Sequence, residues 1–329
     1  MSVQSINPAS EEIIETFEAH NDVEIEHRLA AAAETFTHWR LTSLGKRAEL
    51  LEAAASIMEE DRERLARHMT LEMGKPLSQA LGEIDKCAWV CRHYAEHGEA
   101  YLADERIKTD ASKAYVRHLP IGPAGFPEGC FQTLLVGSEK VEGILRDKRV
   151  KAATLTGSGP AGGAVASTAG GEIKPSVLEL GGTDAFIVMP SADLDSAVET
   201  AIDGRIQNSG QSCIAAKRFL VHADIYDEFR DKFIAGMQAI TIGNPLEDGV
   251  KLGPLAMKAI RDDLQKQTRA SIEAGAKPLL EPRSLPEKGW WFAPQILEDI
   301  PDMAPAAHEE MFGPVAGLWK VTSLTQAIE

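Results

Sequence analysis

After residue 105 the chain alternates between short apolar segments and longer amphipathic ones, and this alternation constrains the fold more than any other feature. Strand-like segments lie at 114–119, 131–136, 152–155, 176–180, 185–189 and 218–222, and helical segments at 139–146, 160–169, 194–206 and 225–239. Parallel strands need a crossover between them, and helices usually supply it. The pattern therefore predicts an α/β protein with a mainly parallel sheet.

The first hundred residues are predicted to be helical. Asn21 and Ser43 are of residue types that cap helix N-termini, and each precedes a segment with helical spacing of apolar residues. Gly74 followed by Pro76 is a typical stop signal for a third helix, and a fourth is expected from Ser78 onward.

Charge and cysteine content narrow the class of function. The chain has 50 acidic and 34 basic residues, a net charge of −16, so nothing favours binding to nucleic acid or to an anionic membrane. No apolar run is long enough to span a bilayer, and the acidic first twenty residues do not resemble a secretory signal. Four cysteines in 329 residues form no disulfide framework, which predicts a cytoplasmic protein with reduced thiols.

The first candidate for chemistry is Cys213, which ends the polar segment Asn208-Ser209-Gly210-Gln211-Ser212-Cys213 between a helix and a strand. A nucleophilic cysteine needs an accessible position and a stabilised thiolate. Taken alone, Cys213 fits a buried structural cysteine better, because free cysteines are usually buried and inert.

The second candidate is Glu179, which lies in the apolar strand 176–180 before Gly181 and Gly182. A buried carboxylate there is costly unless it is paired or protonated, and this is a setting for a general base. A solvent-exposed glutamate at a strand end explains the same residues equally well.

Two further segments are weaker signals. Gly157, Ser158 and Gly162 lie in a turn between a strand and a helix, where backbone N–H groups can hold a phosphate, although an ordinary helix cap is an equal alternative. Glu309-Glu310-Met311-Phe312-Gly313-Pro314 fits any surface loop when taken alone.

Together and in this order, these segments resemble the NAD(P)-dependent aldehyde dehydrogenase superfamily. Leu178-Glu179-Leu180-Gly181-Gly182 resembles its glutamate motif, Gly210-Gln211-Ser212-Cys213 its cysteine motif, and Glu309–Pro314 its third motif. The similarity extends from about residue 5 to the end, and the subgroup it resembles best is the bacterial succinate-semialdehyde dehydrogenases.

The resemblance implies a fold, a cofactor and a reaction. It implies a Rossmann-type parallel sheet with helices and a second α/β catalytic domain, with residues 1–178 forming the N-terminal helical region and cofactor-binding domain and residues 179–329 the catalytic domain. It implies that Cys213 forms a thioester with the aldehyde and that Glu179 activates the water that hydrolyses it. The residues implied to bind NAD or NADP are Gly157, Ser158, Gly162, Leu180, Glu310 and Phe312.

The sequence departs from the family at one internal junction and at its end. Ile121-Gly122-Pro123 should follow a strand, yet Ala124-Gly125-Phe126-Pro127 resembles the end of a helix and the loop that leaves it, and no helix precedes it. The family has a longer segment between Pro123 and Ala124, which carries an oxyanion-binding Asn and a cofactor-binding Lys, and it continues beyond the third motif. Both domains are therefore expected to be incomplete, which makes the family's homo-oligomer doubtful.

Three functions remain open at this stage. The first is an aldehyde dehydrogenase acting on succinate semialdehyde or a similar aldehyde, with Arg205 as a candidate for the substrate's carboxylate; as an alternative, Arg205 is an ordinary residue on a helix surface. The second is a catalytically impaired fragment of such an enzyme, and the third is an esterase or thioesterase that needs no nucleotide. NAD and NADP are not distinguished, because the missing segment holds the discriminating positions.

Overall fold

The structure, a computed structural model, describes residues 2–119 and 129–329. Up to residue 180 its elements are β1 (Ser2–Ile6), β2 (Ile13–Glu18), α1 (Asp22–Trp39), α2 (Leu44–Glu60), α3 (Arg62–Met73), α4 (Leu77–Tyr101), β3 (Glu105–Arg106), β4 (Tyr115–Val116), α5 (Ser138–Arg146), β5 (Ala153–Gly157), α6 (Gly159–Gly171) and β6 (Ser176–Leu180). They continue with β7 (Ala185–Val188), α7 (Leu194–Ile206), β8 (Arg218–His222), α8 (Tyr226–Ala239), α9 (Lys258–Glu273), β9 (Lys277–Pro278), β10 (Gln295–Glu298), α10 (Pro305–His308), β11 (Val315–Val321) and α11 (Leu324–Ile328).

The chain divides into two compact units. The first consists mainly of Thr16–Leu65 and Glu83–Leu180, and the second of Ser5–Glu15, Ala66–Gly82 and Gly181–Glu329. These are clusters of packed residues, and the functional domain boundary expected at 178/179 stays a prediction.

Local capping explains where the long helices of the first unit begin. The Asn21 side chain accepts hydrogen bonds from the N–H groups of Val23 and Glu24, both at 3.0 Å, and the Ser43 side chain accepts one from Lys46. These bonds satisfy donors that the first helical turn leaves free. Both predicted caps are confirmed.

The first unit contains a small parallel sheet of β5 and β6, joined through α6. Within the described residues β6 pairs with β5 alone, and much of both strands is exposed; Val177, for example, is 60% exposed. Parallel sheets are normally covered on both faces, so this sheet lacks neighbours that such strands usually have.

The second unit is built on a five-stranded sheet with the order β7-β8-β11-β10-β9. Its strands pair in parallel except for β9, which is antiparallel to β10. Phe219, Phe229 and Phe233 are fully buried and stack with ring centroids 4.9 to 5.5 Å apart. This core holds β8 against α8 and fixes the start of β8, which begins five residues after Cys213.

The predicted α/β class is confirmed, and most predicted segments become the expected elements. The strand predicted at 131–136 is wrong: these described residues form no strand. Leu135 bonds instead with His20, donating its N–H to Nδ1 at 3.1 Å and accepting from the His20 N–H at 2.8 Å. The early strands β1 and β2 were not predicted, and the junction at residues 121–127 lies outside the described residues.

None of the helices in the described ranges combines the length and the apolar character that a membrane span requires.

An ion pair beyond the C-terminus of α5 gives a pH-dependent prediction. Hydrogen bonds from Arg149 lower the pKa of Asp147 to about 2, so this carboxylate stabilises the fold above about pH 4 and loses the effect as pH falls toward 2. Both side chains are about a quarter exposed, so we expect Asp147→Asn to cost about 1 kcal/mol at neutral pH. Urea unfolding should show this difference shrink toward pH 2; a difference that does not depend on pH would contradict the assignment.

Candidate active site

Cys213 follows a tight turn at the end of α7, and the backbone of this turn is unusual. Asn208, Ser209 and Gly210 have φ values of 51°, 56° and 79° in succession. The left-handed region disfavours residues with a Cβ, so two of these residues carry backbone strain. Strain of this kind persists only where surrounding contacts impose it, and here it aims the segment that ends at the half-buried Cys213.

Three hydrogen bonds to two other segments, α4 and the loop at 253–256, hold this turn. The N–H of Asn208 donates to Gln79 Oε1 at 2.8 Å, the Ser209 hydroxyl donates to the Gly253 carbonyl at 3.1 Å, and Gln211 Oε1 accepts from the N–H of Ala256 at 2.9 Å. The polar residues of the cysteine motif therefore act as anchors for the backbone that carries the thiol.

Arg205 is the largest polar group beneath this turn. It is fully buried, and its two terminal nitrogens donate to the carbonyls of Gly210 at 2.7 Å and Ala216 at 2.9 Å. Burial lowers the pKa of its guanidinium to about 10, against the opposing effect of Glu310, so Arg205 stays charged at neutral pH. This burial contradicts the predicted contact with a substrate carboxylate, and the alternative of an unremarkable surface arginine is wrong as well.

We expect Arg205→Leu to lower the free energy of unfolding by about 2 kcal/mol, because two buried carbonyls lose charged donors while a buried charge is relieved. Urea denaturation measures the loss, and Arg230→Leu, which removes an arginine from exposed ion pairs on α8, is the control. Equal losses for the two variants would contradict the anchoring role.

The cysteine motif packs directly against the third motif. A Cβ on Gly210 would lie 2.3 Å from the backbone carbon of Gly313, so only glycine permits this approach. The Glu310 carboxylate also lies against Gly181. A Cβ added to Gly181 would be 1.9 Å from Glu310 Oε2. The structure thus brings the cysteine motif, the Gly181-Gly182 turn and Glu310 together within the second unit. Phe312, in the same loop as Glu310, is half-buried.

Lys217, which the sequence analysis did not single out, lies where these three segments meet. Its buried ammonium donates to the carbonyls of Ser212 at 2.9 Å and Cys213 at 2.7 Å, and lies 2.9 Å from Glu310 Oε1. Its backbone N–H donates to the carbonyl of Asp184, just after the Gly181-Gly182 turn. No local pattern marks a single lysine before a strand for this position.

The remaining predicted site residues belong to the first unit. Glu179 lies in β6 with its side chain exposed, which agrees with the solvent-exposed alternative and not with the buried setting. Gly162 and Leu180 are in contact, because a Cβ on Gly162 would lie 2.7 Å from the leucine's methyl groups. This contact packs α6 onto β6 in the way that the third glycine of dinucleotide-binding folds does.

The turn before α6 keeps the features that suit a phosphate. Ser158 caps the helix, its Oγ accepting from the N–H of Ala161 at 3.4 Å, and Gly157 and Ser158 are exposed. The positive end of the helix dipole lies at this exposed turn. Among the residues that the structure describes, no cluster of His, Cys, Asp and Glu could hold a metal ion.

Comparison with known proteins decides the family. The sequence model of the aldehyde dehydrogenase family matches residues 1–125 and 123–329 of this chain. The chain belongs to the aldehyde dehydrogenase family. Members of this family oxidise aldehydes to carboxylic acids with NAD(P)+.

Relatives and solved structures agree with this assignment. The chain is 44% identical to succinate-semialdehyde dehydrogenase [NADP(+)] 1 of Mycobacterium bovis, covering 100% of this chain and 83% of the relative. It is similar to the succinic semialdehyde dehydrogenase of Streptococcus pyogenes solved with NADP+ (TM-score 0.95, 27% identity, 99% and 82% covered). It is also similar to aldehyde dehydrogenase 21 of Physcomitrella patens solved with the product succinate (TM-score 0.92, 26% identity, 100% and 79% covered).

These matches also confirm the predicted internal shortening of this aldehyde dehydrogenase. The two parts of the family match meet at residues 123–125, where the sequence analysis expects a missing segment. The alignment with the M. bovis enzyme has 381 positions, 52 more than the 329 residues of this chain. The relative therefore carries residues inside the matched region that this chain lacks.

Proposed function

We propose that this chain oxidises succinate semialdehyde to succinate with NADP+, with Cys213 as the nucleophile and Glu179 as the general base. The observation that carries the proposal is the joining of the cysteine motif, the Gly181-Gly182 turn and Glu310 by direct contacts in one unit. The names of its mycobacterial relatives support the choice of substrate and of NADP+.

In this proposal the Cys213 thiolate attacks the aldehyde carbonyl, and its backbone N–H donates to the oxyanion that forms. When bound, NADP+ would supply the acceptor for the hydride that leaves the former aldehyde carbon. The oxyanion collapses to a carbonyl as that C–H bond breaks, and the acyl group remains on Cys213 as a thioester. Glu179 takes a proton from the attacking water, the thioester bond breaks, and the acid leaves while the thiolate is restored.

The residues proposed to hold NADP+ fit a dinucleotide in two places. Gly157 and Ser158 lie exposed at the N-terminus of α6, where the positive end of the helix dipole suits a pyrophosphate. Glu310 is a carboxylate of 23% exposure, fixed on one side by Gly181, which suits ribose hydroxyls. Phe312 in the same loop is proposed to lie near the nicotinamide. Because Arg205 is buried, no residue is assigned to the substrate's carboxylate.

The internal shortening is expected to lower the rate of aldehyde oxidation. The resemblance places an oxyanion-binding Asn in the segment that this chain lacks, and loss of one such donor typically costs about 10²–10³-fold in rate. We therefore propose slow turnover rather than none. The cytoplasmic location predicted from the cysteine content remains a prediction of the same proposal.

The proposal is tested by following NADPH absorbance with purified protein, succinate semialdehyde and either NADP+ or NAD+. We expect turnover with NADP+ that is faster with succinate semialdehyde than with butyraldehyde, which has no distal carboxylate. Hydrolysis of 4-nitrophenyl acetate without nucleotide is measured in parallel. Ester hydrolysis without any NADPH or NADH formation would replace the proposal by a nucleotide-independent esterase, and neither activity in folded protein would indicate an impaired member of the family.

A further inference from the structure

We propose that Lys217 is a positioning residue that locks the Glu310 carboxylate and the Ser212–Cys213 backbone into one fixed arrangement. The proposal rests on the function proposed above in one respect only, that Glu310 faces a nucleotide. Lys217 touches neither substrate nor cofactor in this scheme and acts through the two groups that it holds.

The surroundings of the ammonium carry the proposal. The Lys217 ammonium donates hydrogen bonds to two backbone carbonyls and forms an ion pair with a carboxylate oxygen that accepts no hydrogen bond from the described residues. The three oxygens are those of the Ser212 and Cys213 carbonyls, at 2.9 and 2.7 Å, and Glu310 Oε1 at 2.9 Å. The Lys217 side chain is 2% exposed, so water does not compete for these contacts.

The position of Glu310 depends on two constraints, and Lys217 is one of them. Oε2 lies over Gly181, where any Cβ would collide with it, and Oε1 lies against the Lys217 ammonium. Without the ammonium, a largely buried carboxylate would lose its nearest cation and would turn toward water, because an unpaired buried charge is costly. The carboxylate would then lose its contact with Gly181.

The same ammonium also joins the nucleophile to this carboxylate. The ammonium binds the carbonyls of Ser212 and of Cys213 itself. The Cys213 carbonyl also lies close to Gly182. One side chain therefore sets the spacing between the segment that presents the thiol and the carboxylate expected to bind ribose. A lysine that only stabilised β8 would not need to contact both.

The test is a double-mutant cycle with Lys217→Met, which keeps the length and removes the charge, and Glu310→Gln, which keeps the shape. Lys320→Met, which replaces an exposed lysine of β11, is the control. For each protein we measure the NADP+ dissociation constant by calorimetry and the urea midpoint of unfolding. Neither measurement depends on turnover.

We expect Lys217→Met to weaken NADP+ binding about tenfold when Glu310 is present and less than about twofold in the Glu310→Gln background, because interacting residues are not additive. The urea midpoint of the double variant should fall by less than the sum of the single effects. Lys320→Met should change neither quantity.

Two results would overturn the inference. One is additive urea midpoints, and the other is an equal loss of nucleotide affinity in both backgrounds, which a purely structural lysine would give. If the unmodified chain binds neither NADP+ nor NAD+, the proposed function fails. The urea midpoints alone then test the inference. Non-additive midpoints would still show that Lys217 fixes Glu310, and additive midpoints would reject it.

Discussion

Replacement of Cys213 by alanine is expected to remove NADPH formation, with a fall of at least ~10³-fold, because the cysteine motif then has no thiol to form the thioester. The turn before Cys213 is held by the backbone and by Asn208, Ser209 and Gln211, none of which needs the thiol. The variant should therefore keep its urea midpoint and lose only chemistry. Absorbance of NADPH and urea unfolding, measured on the same preparation, separate the two effects.

The matched control for this prediction is Cys87→Ala, which removes an exposed cysteine of α4. We expect it to keep the rate of the unmodified chain. Turnover that survives in Cys213→Ala would contradict the role of the thiol, and equal losses in both variants would point to general damage by thiol replacement.

The second large effect is expected from Gly210→Ala. Gly210 has a φ of 79°, and an added Cβ would lie 2.3 Å from the backbone of Gly313, where no flexible side chain can give way. Left-handed strain and overpacking together should cost about 4 kcal/mol of unfolding free energy. Turnover should fall with it, because the cysteine motif and the third motif would be forced apart.

Gly204→Ala is the internal comparison, since Gly204 lies in α7 and its nearest heavy atom to an added Cβ is 4.0 Å away. Alanine is favoured over glycine inside helices, so this variant should be neutral or more stable by up to about 1 kcal/mol. A Gly210→Ala protein as stable as Gly204→Ala would show that the two motifs are not packed as described.

Local signals account for the parts of the fold that the sequence predicted. The caps at Asn21 and Ser43, the helix at 194–206 and the strand at 218–222 each depend on a few neighbouring residues, and all four are found as predicted. The early strands β1 and β2 were missed because each is short and depends on pairing with the other. The turn at Asn7, whose Oδ1 accepts from the N–H of Ala9 at 2.9 Å, was the available signal.

The strand expected at 131–136 failed for a reason outside the segment. Its residues have strand propensity, but a strand needs a partner for its backbone groups. The segment begins only a few residues after the point where the two parts of the family match meet. We attribute the lost strand to a missing neighbour, which leaves Phe131 81% exposed.

Prediction of the site was limited in the same way by long-range packing. The cysteine motif could be located from the sequence because its residues are contiguous. The roles of Arg205 and Lys217 could not, since each is defined by carbonyls that are four to eleven residues away or by Glu310, and no spacing rule describes such contacts. Burial, rather than residue type, separates these two cations from those on the surface.

The most direct test of the account is to mix the protein with succinate semialdehyde and NADP+, quench within one turnover, and analyse the Cys213 peptide by mass spectrometry. The account predicts the mass of one succinyl group on Cys213, dependent on NADP+ and absent from Cys87 in the same sample. A Cys213 peptide that stays unmodified in folded protein, with aldehyde and nucleotide in excess, would contradict the claim that this shortened chain still performs aldehyde dehydrogenase chemistry.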